Sequence, residues 1–168
     1  MYYLELKDEI TGRLDPSGAT EYYNDPGYYT YGLELTYNRI IDANSELLLN
    51  ASYTDGEREN SSDVDFIAHY TANVMFTYNF NNRCSTTISD QYISSKDYLT
   101  SSLQSGSIDS YNLANITLIY KNYPFESNLY IKNIFDEEYT NHEPVRRNLS
   151  ELPGGPGATA YLTLRYYF

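Results

Sequence analysis

Two adjacent arginines, Arg146 and Arg147, stand near Tyr139, His142 and Glu143. They are the residues in this chain best suited to recognise a small ligand. Guanidinium groups pair with carboxylates, catecholates or phosphates by fork-like donation, which a lysine cannot reproduce. The same arginines have a plainer use, pairing with Glu143 and Glu151 or with anionic groups at a surface, where ion pairs contribute little. Both readings stand at the level of sequence.

The remaining chemistry-bearing residues are sparse. His69 and His142 are far apart along the chain, and a metal site needs several convergent ligands. Both histidines are therefore expected in structural or loop roles. The single Cys84 has no partner for a disulfide or a cysteine metal site. No nucleophile elbow, catalytic carboxylate pair, phosphate loop or zinc spacing appears. No catalytic, cofactor or metal residue is assigned, and an enzyme is not expected. A formal net charge of −12 argues against nucleic acid, whose phosphates require basic clusters. The acids fall mainly in three groups, around residues 8–25, 55–65 and 136–138. Most of them read as solvation of exposed loops.

What could carry such loops is written in the spacing of the apolar residues. The chain ends on TAYLTLRYYF, in which Ala160, Leu162, Leu164, Tyr166 and Phe168 occupy every second position. A period of two describes a strand with one apolar and one polar face. Seven further segments show similar alternation, at 2–10, 28–40, 46–55, 67–80, 84–94, 110–121 and 127–134. In the first, Tyr2, Leu4 and Leu6 are expected on the apolar face, with Glu5 and Lys7 opposite. Glu34 and Glu46 are expected on the polar face of their strands. The connections alternate long and short, and the last long one holds LPGGPG, residues 152–157, which no helix or ladder tolerates.

Composition separates a core-facing sheet from a lipid-facing one. Of 168 residues, 41% are hydrophobic, yet 21 are tyrosine and none is tryptophan. Few aliphatic side chains remain to fill an interior. A barrel wall one side chain thick, with aromatic belts at its interfaces, needs few. No apolar run approaches the ~20 residues of a membrane-spanning helix. Strands running toward the short turns end in aromatics on the apolar face: Tyr37, then Tyr78 with Phe80, Tyr120, and Tyr166 with Phe168. Together they make one interfacial girdle on the periplasmic side. The fold expected is all-β, an antiparallel up-and-down meander of about eight transmembrane strands. The opening MYYLELKDEI lacks a basic segment, an apolar segment and a cleavage site, so the chain is expected to be mature or incomplete.

NIFDEEY (133–139), followed by a Pro-Gly-containing stretch and the closing TAYLTLRYYF, resembles the C-terminal end of TonB-dependent outer-membrane receptors. YGLELTYN (31–38) and LLLNASYTDGE (47–57) resemble strands further upstream in that family. Ala158 stands where the family usually has arginine after Pro-Gly. The resemblance covers essentially the whole chain, as the last eight strands of a barrel of about 22 strands. It implies that residues 1–168 are a C-terminal barrel segment, without plug domain, TonB box or signal peptide. It implies a receptor for a scarce nutrient such as a ferric siderophore, haem, cobalamin or a glycan, with TonB acting only through the missing N-terminal parts. Under it, Arg146, Arg147, Tyr139 and His142 become possible contacts for an anionic iron chelate. Phe168, Tyr166, Leu164 and Leu162 match the signal read by the barrel-assembly machinery. Outer-membrane lipid and lipopolysaccharide are the expected surroundings. Two other readings compete: a complete eight-stranded barrel acting as pore, adhesin or anchor, and a soluble tyrosine-rich β protein that binds a small apolar ligand.

Overall fold

The structure, a computed structural model, describes residues 1–14, 19–58, 64, 66–99, 105–140 and 154–168. The described residues form ten strands: β1 (Tyr2–Leu14), β2 (Thr20–Ile40), β3 (Ser45–Arg58), β4 (Tyr70–Asn79), β5 (Cys84–Ile93), β6 (Lys96–Leu99), β7 (Ser105–Ile108), β8 (Tyr111–Asn122), β9 (Phe125–Lys132) and β10 (Thr159–Tyr166). Eight form one antiparallel sheet in the order β1-β2-β3-β4-β5-β8-β9-β10, and β6 and β7 make a separate two-stranded hairpin. The fold is all-β, an antiparallel meander. Strands β1 and β10 are the two edges of the sheet and do not pair with each other.

Register carries the apolar pattern from strand to strand. Leu35 faces Ala51, which faces Ala72; Leu49 faces Val74; Phe76 faces Ile88, which faces Ile116. Ile116 then faces Ile131, which faces Ala160. Side chains directly opposite one another lie on one face, so a single apolar surface runs across the sheet. It is left bare, with Leu33, Leu35, Leu162 and Leu164 all more than half exposed. The opposite face is a polar wall of Glu34, Thr36, Asn50, Ser52, Thr71, Asn73, Gln91, Asn115, Thr117, Asn128 and Thr163. Its ladder is stitched by Ser52–Thr71 (2.7 Å) and Thr77–Thr87 (3.0 Å) hydroxyl pairs. Asp90 is an exception, an acid on the apolar face between Val74 and Ala114.

The first hairpin departs from the sequence reading in length. Residues 11–14 and 20–27, expected in a polar connection, pair as strand. At roughly 3.3 Å per residue, β2 extends far beyond the apolar band. The ladder skips Asp8 and Pro26, because proline has no N–H to donate, and Asp8 takes a left-handed φ of 55°. The second departure is the β6–β7 hairpin, formed where a Ser-rich loop is expected. Phe66 stacks on Tyr98 of β6 (5.1 Å, 4°) and donates its N–H to the Asp97 carbonyl at 2.8 Å. Two long connections are thereby joined above the sheet.

The third departure is a correction of face. Tyr2, Leu4 and Leu6 lie opposite Gly32, Thr30 and Tyr28, on the polar side, while Tyr3, Glu5 and Lys7 share the side of Tyr31 and Tyr29. Glycine explains it: the Tyr2 ring fills the space above Gly32, where a Cβ would stand 2.7 Å from the Tyr2 Cζ and Oη. The Tyr2 hydroxyl meets Thr54 Oγ1 at 2.6 Å. Because β1 pairs only with the long-loop half of β2, Glu5 and Lys7 emerge at the rim and not mid-face, ion-paired at 2.9 Å.

The short turns are built by side chains. Asp42 accepts the Asn44 N–H at 2.8 Å, and Asn81 accepts the N–H groups of Arg83 and Cys84 at 2.8 and 3.0 Å. These bonds make the turn that sets each register. The bond from the Asn44 amide, with help from Ser45, holds the Asp42 carboxyl below its ordinary value of 3.8. A carboxyl lowered on folding stabilises above the ordinary aspartate range, and that contribution disappears as pH falls through the folded value. In detergent micelles, the Asn44 amide resonance should titrate with a midpoint under 3.8; a midpoint at or above it removes the turn bond. Gly32→Val, whose Cβ would meet the Tyr53 carbonyl oxygen at 2.3 Å and the Tyr2 ring at 2.7 Å, should dislodge Tyr2, strain the β2–β3 ladder beside it and destabilise this end of the sheet by about 1–3 kcal/mol, read as faster proteolysis within residues 2–14 than in the parent.

Candidate functional site

Two places in the sheet concentrate function-bearing residues: the short-turn rim with the closing strand, and the long-loop rim. At the first, aromatics of the apolar face gather into edge-to-face contacts. Tyr78 meets Phe80 at 5.0 Å, Phe125 meets Tyr166 at 4.9 Å, and Tyr166 meets Phe168 at 5.0 Å. Such geometry suits the ring quadrupole. Tyr37 and Tyr120 lie exposed toward the same ends of β2 and β8. Phe125, the first residue of β9, joins this group; its position just past a Pro-containing turn hid it from the alternation count. Leu162 and Leu164 continue the apolar face of β10 upward, Leu164 being 71% exposed.

The polar side of β10 is ordered at the same end. Glu126 accepts from Arg165 Nη1 at 3.2 Å and from the Tyr167 hydroxyl at 3.0 Å, and Tyr167 stacks on Tyr123. A shallow furrow of about 210 Å³ runs past Lys121, Glu126, Asn128, Thr163 and Arg165. A second, of about 220 Å³, crosses Glu34, Asn50, Ser52, Thr71, Asn73 and Gln91. Both lie open on the polar wall.

The long-loop rim carries a second aromatic level. Tyr3, Tyr29 and Tyr31 stack in series, and Tyr53 packs on Tyr70 and His69. Their hydroxyls turn to carboxylates: Tyr31 and Tyr53 donate to Asp55 at 2.8 and 3.0 Å, and Tyr29 to Glu57. His69 sits at this level, its Nδ1 3.1 Å from the Thr54 carbonyl. Sequence reading resolved only the girdle near the short turns. Register was needed to see that Tyr3, Tyr29, Tyr31, Tyr53 and Tyr70 converge. No group of acidic, histidine and cysteine side chains suited to a metal ion occurs among the described residues.

Of the residues expected to meet a ligand, Arg146, Arg147 and His142 lie outside the described residues. Tyr139 is described, and it is 8% exposed, packed against Tyr111 (4.9 Å), Leu113 and Ile93. Its ring covers Gly155, where a Cβ would stand 2.2 Å from Cζ. Its carbonyl accepts the Gly155 N–H at 2.6 Å, and Thr140 and Gly154 form an antiparallel bridge. The two ends of the 141–153 segment are thus clasped together at the rim. Lys96 of the β6–β7 hairpin is half-buried, and burial pushes its ammonium pKa down.

No family model matches the sequence, and no curated protein matches it. Solved structures do. The ferric yersiniabactin uptake receptor FyuA from Yersinia pestis superposes with a TM-score of 0.79 at 17% identity, over 99% of this chain and 26% of that one. The siderophore receptor PirA from Acinetobacter baumannii gives 0.77 at 16% identity, over 99% and 28%. The copper transporter OprC gives 0.76 at 16%, over 96% and 27%. The chain therefore has the fold of a stretch of receptor barrel wall and spans about a quarter of the length of the proteins it matches. Gly155→Leu should expel Tyr139 and cost about 1–3 kcal/mol, measured as a lower urea midpoint in micelles; an unchanged midpoint would remove the clasp.

Proposed function

We propose that residues 1–168 are the C-terminal barrel segment of a TonB-dependent outer-membrane receptor for active uptake of a scarce nutrient, such as a ferric siderophore. The observation that carries this reading is the sheet itself. Eight strands alternate short and long connections, one continuous bare apolar face lies between two aromatic levels, and nearly the whole chain follows the wall of proteins named as a siderophore receptor, a ferric yersiniabactin uptake receptor and a copper transporter. In water such a face is an aggregation hazard; in a bilayer it is a solvated surface. The self-closed eight-stranded barrel is less well supported, since the edges of this sheet do not pair.

On this reading the apolar face meets lipid, and the outer rim meets lipopolysaccharide. The polar wall faces the lumen, where a plug belongs in the intact protein. TonB acts through N-terminal parts beyond this segment. Arg146 and Arg147, carried on the connection clasped by Tyr139 and Gly155, pair with an anionic metal chelate through paired N–H donors. Phe168, Tyr166, Leu164 and Leu162 form the strand offered to the barrel-assembly machinery. None of these roles requires bond-making chemistry from the chain.

Two measurements test the reading. The coding frame upstream of Met1 should continue through further alternating strands into a plug domain; a stop codon directly upstream overturns uptake by a protein containing this chain. For the membrane assignment, Leu35→Arg on the apolar face, between the two aromatic levels, should lower stability in lipid vesicles by about 2–4 kcal/mol, while Thr36→Arg on the polar face changes it little and Asp90→Leu raises it. Equal effects of the two arginines would sink the lipid-facing assignment.

A further inference from the structure

Strands β9 and β10 are joined through the whole 133–158 connection, yet they pair in unbroken register from Lys132↔Thr159 to Phe125↔Tyr166. A long flexible loop closes at an entropic cost that changes only slowly with length, so by itself it discriminates poorly between adjacent registers. Something else must choose.

The residues bracketing the connection supply the choice. Asn133, the first residue after β9, is fully buried at 0% exposure and takes a left-handed φ of 51°, a region that asparagine tolerates. Its N–H donates to Asn115 Oδ1 of β8 at 3.0 Å, and Asn115 Nδ2 reaches on to Ser89 of β5 at 3.4 Å. Its side-chain Oδ1 accepts the Glu137 N–H at 2.9 Å, and its Nδ2 donates to the carbonyls of Glu137 (2.9 Å) and Pro156 (3.4 Å). The Asp136 N–H donates to the Asn133 carbonyl at 3.0 Å. Asp136, also left-handed at φ 54°, accepts the Ala158 N–H on Oδ1 at 2.7 Å, one residue before β10 begins. Residues 133–137 thus bind both the stem of β8 and the last residues before β10.

We infer that Asn133 and Asp136 are positioning residues for the closing strand: a latch that sets the register of β10 on β9 regardless of what lies between Thr140 and Gly154. The latch replaces a long loop by an effective turn of a few residues. Register matters here more than elsewhere in the sheet. A one-residue slip would turn Leu162, Leu164 and Tyr166 onto the polar wall, and a two-residue slip would part Tyr166 from Phe125. What the latch does for assembly rests on reading β10 as the strand the assembly machinery recognises. The test below needs no such machinery and so reads the latch alone.

The test is disulfide trapping in the 168-residue chain refolded into detergent micelles, in a Cys84→Ser background. Asn128→Cys with Thr163→Cys reports the native register, and Asn128→Cys with Arg165→Cys or Tyr161→Cys reports a two-residue slip. With the latch intact, the native pair should dominate. Asn133→Gly combined with Asp136→Gly, which keeps both left-handed backbone conformations but removes the side-chain bonds, should raise the slipped-to-native ratio by about fivefold. With Asn133 kept, Asp136→Asn, which retains an acceptor for Ala158, should hold the native ratio where Asp136→Gly raises it. Shortening 141–153 to a few residues should leave the native pair dominant. An unchanged ratio in the latch variant overturns the inference. So does loss of the native pair in the shortened chain, which stays readable even if the latch variant fails to fold.

Discussion

In a wall one strand thick, every backbone N–H and C=O can be satisfied only by the adjacent strand, and the rest of this structure depends on that constraint. An unmet backbone group away from water costs several kcal/mol, so the ladder must run unbroken across the apolar band. It does so from β2 to β10. The interruption at Asp8 and Pro26 falls beyond the apolar stretch of β2, toward the long connection. Once the ladder is set, side chains have no freedom of face. Apolar surface and polar wall follow from register alone, and stability resides in cross-strand pairs, each contributing about 0.2–1 kcal/mol.

The same constraint explains why order concentrates at the connections. Two short turns at one rim are tied by Asp42 and by Asn81, so these hairpins have little choice of register. The long connections cannot act in this way and recruit tertiary contacts in its place. Phe66 is pinned to Tyr98 in one case, and Asn133, Asp136 and Tyr139 act in the other. Asn133 is the most completely buried side chain described, and each of its polar atoms is paired. Leaving such a group unpaired costs about 1–3 kcal/mol, which is why this polar residue can occupy the interior without loosening it. NIFDEEY reads differently in this light: its asparagine, aspartate and tyrosine hold the rim together, and the connection they clasp is free to vary.

Much of this was legible from spacing. Six of the eight sheet strands lie within the alternating segments or extend them, and β8 and β9 are shifted from theirs by one and two residues, because lipid or core on one face and water on the other leave a period-two record that turns interrupt. The clustering of Tyr37, Tyr78, Phe80 and Tyr120 toward the short turns could also be proposed, since each lies a fixed few residues from a turn. The ligand residues were less tractable. Tyr139 looked like a loop residue next to two arginines, and nothing local announces that Tyr111, Leu113 and Gly155 enclose it. The face of β1 was misassigned because Leu4 and Leu6 suggest an apolar side, whereas an empty space over Gly32, on another strand, decides where Tyr2 goes.

By itself, then, the sequence determined the class of fold, the number and direction of the sheet strands, and which side chains of most strands share a surface. These are properties of local periodicity and turn chemistry, and each residue reports them through its immediate neighbours. Only the tertiary structure decided the height of one strand against the next, the second aromatic level, the β6–β7 hairpin and the interior of the NIFDEEY segment. Each of these depends on groups tens of residues apart meeting at hydrogen-bonding distance, and no periodicity encodes such a meeting.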